Sequence, residues 1–107
     1  MNVITNNNIK CTIALAALQN VVDPEIGLNV VDLGLIYQID FDEADSRIFC
    51  TMTLTTQFCP MGEFITDAVA KTLDSTFPEN EINVKLTFTP PWSNQMISEE
   101  GQNFLNR

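Results

Sequence analysis

The sequence contains no histidine. That absence removes every Cys–His or Ser–His nucleophilic pair and every imidazole metal ligand from the chain's own chemistry. Basic residues are scarce as well, with five Lys plus Arg against fourteen Asp plus Glu, for a formal charge of -9. A field of that sign repels phosphate backbones and anionic membrane surfaces, which disfavours nucleic acid and lipid as partners. No apolar run approaches the length of a membrane span. The start, Met1-Asn2-Val3-Ile4-Thr5-Asn6-Asn7-Asn8, lacks the basic and then apolar pattern of a signal peptide, so the expected compartment is the cytoplasm. The three cysteines have no close pair among them, which argues against a disulfide scaffold and fits a reducing environment. Neither an internal repeat nor a domain boundary is visible.

What is present is the composition of a globular chain. Its 107 residues, 45% hydrophobic and 18% charged, suffice for one core, so a single domain over 1–107 is expected. Cys11, Ala14, Leu15, Leu18, Val21 and Val22 fall on one helical stripe, predicting a helix over roughly 8–21 capped by Asn7 or Asn8. Asp23-Pro24 ends it, because a residue before proline is pushed out of the helical region. Leu35, Tyr37, Ile39 and Phe41 then alternate with Ile36, Gln38, Asp40 and Asp42, and beyond a short polar link Ile48, Cys50, Met52 and Leu54 alternate with Arg47, Phe49, Thr51, Thr53 and Thr55, which reads as a hairpin. Met61, Ile65, Ala68, Val69, Leu73 and Phe77 trace a second helix, ended by Pro78. Ile82, Val84, Leu86 and Phe88 alternate in a third strand, stopped by Pro90-Pro91, and Ser98 caps a short last helix ending near Leu105.

These elements predict an α+β fold. It is a two-layer sandwich with a small three-stranded sheet, two main helices on one face, and a short C-terminal helix. The outer sheet face is expected to be rich in threonine. Cys11 and Cys50 lie on inward stripes and read as core residues. Trp92 either folds back on the sheet or serves a partner.

The chemistry concentrates in the run Thr53-Leu54-Thr55-Thr56-Gln57-Phe58-Cys59-Pro60. Pro60 suits the first position of a helix, which would make Cys59 its cap. A sulfur there lies near free backbone N–H groups and the positive end of the helix dipole, which favour the thiolate. Two carboxylates, Asp23 and Glu25, stand on a stiffened Asp-Pro-Glu loop, and Asp32 follows. The local reading of Asp23 and Asp32 is an Asx-type turn, with ligation as the alternative.

With Asp23-Pro24-Glu25-Ile26-Gly27, Val31-Asp32-Leu33-Gly34-Leu35, Thr53-Leu54-Thr55 through Cys59-Pro60, and Pro90-Pro91-Trp92 all in view, the chain resembles the metal-sulfur cluster assembly factors from about residue 10 to about residue 105. This small single-domain family, formerly of unknown function, includes the SufT proteins, the PaaD subunit of phenylacetate degradation and the eukaryotic cytosolic iron-sulfur targeting adaptors. The resemblance implies an accessory role in iron-sulfur cluster assembly or delivery and a compact helix-on-sheet domain. It makes Cys59 the functional and metal-binding residue, with Asp23 and Glu25 beside it. PaaD-type chains carry an additional C-terminal segment with cysteine, and here no cysteine follows Cys59.

A cluster needs about four protein ligands, often all thiolates, and one accessible candidate is offered here. Any iron-sulfur cluster is therefore expected to be transient, shared with a partner or a second subunit. The expected partners are the iron-sulfur assembly machinery and client apo-proteins, with a homodimer left open. A catalytic role is not expected, because without histidine a Cys59 nucleophile would lack its usual base. The alternative is an interaction subunit of a multicomponent oxygenase, PaaD-like, with no metal role.

Overall fold

The computed structural model describes residues 3–106 as one mixed sheet with its helices. The elements are β1 (Ile4–Thr5), α1 (Asn8–Leu18), β2 (Ile36–Asp42), β3 (Arg47–Met52), α2 (Gly62–Thr76), β4 (Glu81–Leu86) and α3 (Glu99–Leu105), with a 3-10 turn at Asn94–Met96 before α3. The α+β class is as expected, but the sheet has four strands, in the order β1-β2-β3-β4. The extra strand is β1, two residues within the asparagine-rich start that run parallel to β2, with Ile4 opposite Gln38. Asn6 secures it, its amide donating to the Phe41 carbonyl and its Oδ1 accepting from the Phe41 N–H.

β2 and β3 form the expected antiparallel hairpin, while β4 returns parallel to β3. One face of this sheet is packed under the helices. Ala14 and Leu18 of α1 join Ile65, Val69 and Leu73 of α2 over Ile39, Ile48, Cys50 and Met52, with Phe77 edge-on to Phe41 at a centroid separation of 5.7 Å. The outer face is mixed rather than threonine-rich, with Phe49 exposed and with Gln38, Asp40 and Thr51 half-buried.

Several boundaries differ from the sequence-based expectation for identifiable reasons. Asn7 does cap α1, its side chain accepting from the Lys10 N–H at 3.0 Å, but the helix ends at Leu18 and Val22 is exposed. The Val30 N–H donates to the Val21 carbonyl instead, closing a loop over Asp23 to Leu28. A bulge between Ile36 and Gln38 inserts one residue into β2, so Ile36 joins Ile39 and Phe41 in the core and Tyr37 does not. β4 leaves the ladder at Leu86 rather than near Pro90.

Connectivity brings the remaining segments to one end of the sheet. β1 runs parallel to β2, so α1 starts at the far end of β2, where Lys10 pairs with Glu43, and its C-terminus returns toward the start of β2. That start lies beside the ends of β3 and β4, since Met52 is opposite both Ile36 and Leu86. Loop 19–35, loop 53–61 and segment 87–98 therefore emerge together.

Candidate functional site

Loop 23–34 is built from its own polar groups. Asp23 is buried, at 2% exposure, and its Oδ1 accepts the Glu25 N–H at 2.9 Å, the Asx-type turn expected of it. Its carbonyl accepts from the N–H groups of Ile26 and Gly27, and Gly27 at φ +82 carries the chain out of the turn. Asp32 does not make the Asx-type turn expected of it, since Asn29 Oδ1 accepts the Asp32 N–H and takes that role; its own carboxylate is spent on side chains, Oδ2 accepting from the Asn29 amide at 2.7 Å and Oδ1 from the Ser98 hydroxyl at 2.8 Å. Ser98 in turn caps α3 by accepting the Gly101 N–H at 3.0 Å. Asp32 thus fixes the C-terminal helix to the loop, a bond between residues 66 positions apart.

The tail is fixed at two further points. Trp92 folds back on the core, its indole N–H donating to the Leu33 carbonyl at 2.6 Å. Gly34 sits at φ +78 against Met96, whose Cβ would lie 2.8 Å from a Cβ at that position. The Tyr37 hydroxyl donates to the Pro90 carbonyl at 2.8 Å, and burial raises the phenol's pKa against a lowering contribution from Thr53. Beside these lies a cleft of about 530 Å³ lined by Ile4, Ile36, Tyr37, Pro90 and Met96 among others, on the side of the sheet edge formed by β1.

Cys59 lies in the loop between β3 and α2. The expected capping role is not what is found: α2 begins at Gly62 with Met61 as its cap residue, and Cys59 precedes the cap by two positions. Its carbonyl accepts the Gly62 N–H at 3.2 Å, closing a turn through Pro60 and Met61. Proline here stiffens the second position of that turn rather than opening the helix. Gly62 is needed where it stands, since a Cβ there would come within 2.8 Å of Leu54 Cδ1.

Cys59 is half-buried, packed at the core's margin, and its thiol makes no hydrogen bond among the described residues. The other two cysteines are buried, as expected. Burial pushes the Cys50 thiol up to about 12, with nearby Cys11 adding to the shift, and burial also raises Cys11 against a hydrogen bond from Thr5.

The structure sorts the candidate ligands. Asp23 and Asp32 spend their carboxylates on the fold, whereas the Glu25 side chain is exposed and makes no hydrogen bond or ion pair among the described residues. Among the described residues no group of three cysteine or acidic side chains is arranged to hold a metal ion. Cys59, Asp23 and Glu25 therefore do not make a self-sufficient site. Sequence reasoning also passed over Phe58, 88% exposed beside Cys59, and Phe64, exposed on the first turn of α2. Phe64 stands off the apolar stripe of its helix, which is the signal that could have found it.

Against this geometry the comparisons are specific. A family model described as iron-sulfur cluster assembly protein matches residues 13–92. The chain is 40% identical over 84 residues to the Fe-S protein maturation auxiliary factor YitW of Bacillus subtilis, covering 78% of this chain and 81% of that one. It is 42% identical over 81 residues to the Fe-S protein maturation auxiliary factor SufT of Staphylococcus aureus, covering 73% and 88%. The crystal structure of a domain of unknown function from Bacillus anthracis superposes with a TM-score of 0.84 at 36% identity, covering 94% of this chain and 98% of that one. The chain belongs to the iron-sulfur cluster assembly protein family.

Proposed function

We propose that this protein is an accessory factor that helps pass iron-sulfur clusters to client proteins, with the Cys59 thiolate as a transient ligand of the cluster. The observation that carries the reading is the environment of Cys59, half-buried and without a hydrogen-bond partner among the described residues, next to the exposed ring of Phe58. Soft thiolates are what iron-sulfur clusters prefer, and the free carboxylate of Glu25 is the one acidic side chain of its loop not committed to the fold.

The donor set is too small to retain a cluster. One thiol and one carboxylate fall short of the roughly four ligands a cluster takes, so the cargo is held jointly with an assembly scaffold or the client and leaves when that partner does. Phe58 and Phe64 supply the apolar contacts that docking requires. The same two rings favour a second reading, an interaction subunit that binds partners through aromatic contacts and handles no metal.

Complementation of a strain lacking the gene product separates the two. The carrier reading expects Cys59→Ser to leave client iron-sulfur enzymes inactive although the variant accumulates normally. Full restoration of those enzymes by Cys59→Ser would replace it with the interaction reading.

A further inference from the structure

The sheet ends at β4, whose outer edge carries no partner strand among the described residues. The backbone polarity of that edge follows from the parallel ladder with β3. Glu81 N–H donates to the Ser46 carbonyl and Thr87 N–H to the Met52 carbonyl, so positions 81, 83, 85 and 87 turn toward β3. Ile82, Val84 and Leu86 then aim their N–H and C=O groups outward. An edge of this kind is a template for another strand unless something blunts it. No proline or bulge interrupts Glu81–Leu86.

We propose that β4 pairs antiparallel with β4 of a second copy of this chain, about a two-fold axis at Asn83, joining the two sheets into one. The register follows from two requirements. Outward-facing groups must meet outward-facing groups, which pairs even positions with even positions. The strand's two opposite charges, Glu81 and Lys85, must also face one another. Centring on Asn83 meets both, because Ile82 lies opposite the partner's Val84 while Glu81 lies opposite the partner's Lys85, and the same pairs recur across the axis. Glu81 and Lys85 occupy the non-hydrogen-bonded positions, where facing side chains are closest. Among the described residues Lys85 makes no ion pair, whereas Glu81 is exposed and touches Arg47 at 3.1 Å.

The strand is thus self-complementary in charge within a molecule of net charge -9. That overall charge opposes association, so the dimer should tighten as salt screens it.

The arrangement bears on the proposed function, on whose reading of Cys59 this one consequence rests. Loop 53–61 emerges at the Met52 and Leu86 end of the sheet. Antiparallel pairing of β4 sets that end of one copy beside the opposite end of the other, so the two Cys59 residues point to opposite ends of the dimer. The remaining cluster ligands then come from scaffold or client, not from the second copy.

Sedimentation equilibrium over a concentration series, without metal, tests the pairing independently of any cluster chemistry. The wild-type chain should dimerise. Glu81→Lys and Lys85→Glu should each weaken the dimer by about tenfold or more, since each sets like charges opposite one another twice. An equimolar mixture of the two variants should regain dimer, because the heterodimer restores both opposite-charge pairs. Val84→Pro removes an outward N–H without touching the bonds to β3 and should abolish dimerisation, with circular dichroism verifying its fold. A wild-type monomer at every concentration, dimers indifferent to both charge reversals, or a mixture that fails to recover would each overturn the proposal.

Discussion

Cys59 and Cys50 carry the same side chain into opposite environments, and the contrast is testable one residue at a time. Brief alkylation of the native protein, followed by peptide mass spectrometry, should find Cys59 modified first. Cys11 and Cys50 should stay protected, since burial both hides them and raises their pKa, that of Cys50 to about 12. Faster labelling of either would contradict the assignment. The position of the cap also matters at this scale. Because Met61 and not Cys59 caps α2, Cys59→Ser and Cys59→Ala should have nearly equal stability in urea titrations. A deficit of about 0.5–2 kcal/mol confined to the alanine variant would show a capping role after all. The environment of Cys59 was only half legible in the sequence. The Cys-Pro step marked the position, but Pro60 suits the second position of a turn as well as the first of a helix, and only the Cys59 carbonyl to Gly62 N–H bond distinguishes the two.

At the scale of elements, the C-terminal tail is held by a few long-range bonds. Ser98→Ala removes both the cap of α3 and the bond to Asp32, so a stability loss of about 1–2 kcal/mol is expected. Gly34→Ala forces a side chain into a left-handed conformation against Met96 and should cost about 1–3 kcal/mol. Both changes should loosen Trp92 from the Leu33 carbonyl, which a red shift of the single tryptophan's emission would record. An unchanged spectrum would mean that the tail is anchored elsewhere. Helix and strand periodicity made the main elements readable because each stripe is long. β1 was not readable, since two residues among asparagines carry no alternation, and the β2 bulge at Tyr37 is a property of pairing with β3 that neither strand shows alone. Asp32 reads locally as an Asx-type turn, but its carboxylate goes to Asn29 and Ser98 instead, and the second bond was not legible because 66 positions separate the two residues.

For the whole molecule, two buried thiols and one half-buried phenol predict how stability depends on pH. Cys11, Cys50 and Tyr37 all have folded pKa values raised by burial. Above the unfolded values the unfolded chain releases these protons while the native state retains them, so stability is fully present at neutral pH. It is lost as pH climbs from the ordinary thiol range toward about 12, the value for Cys50. Thermal melts from neutral to alkaline pH should therefore show a falling midpoint, and Cys50→Ala should make that fall shallower. An equally steep fall in the variant would remove Cys50 as a cause.

Cys59 is proposed to handle the cargo, and anaerobic transfer kinetics test this. A scaffold loaded with cluster is mixed with an apo-client, with and without this protein, and client activity is followed over time. Wild-type protein is predicted to speed the transfer and Cys59→Ser to leave it at the rate without added protein. Equal acceleration by the serine variant would contradict the claim.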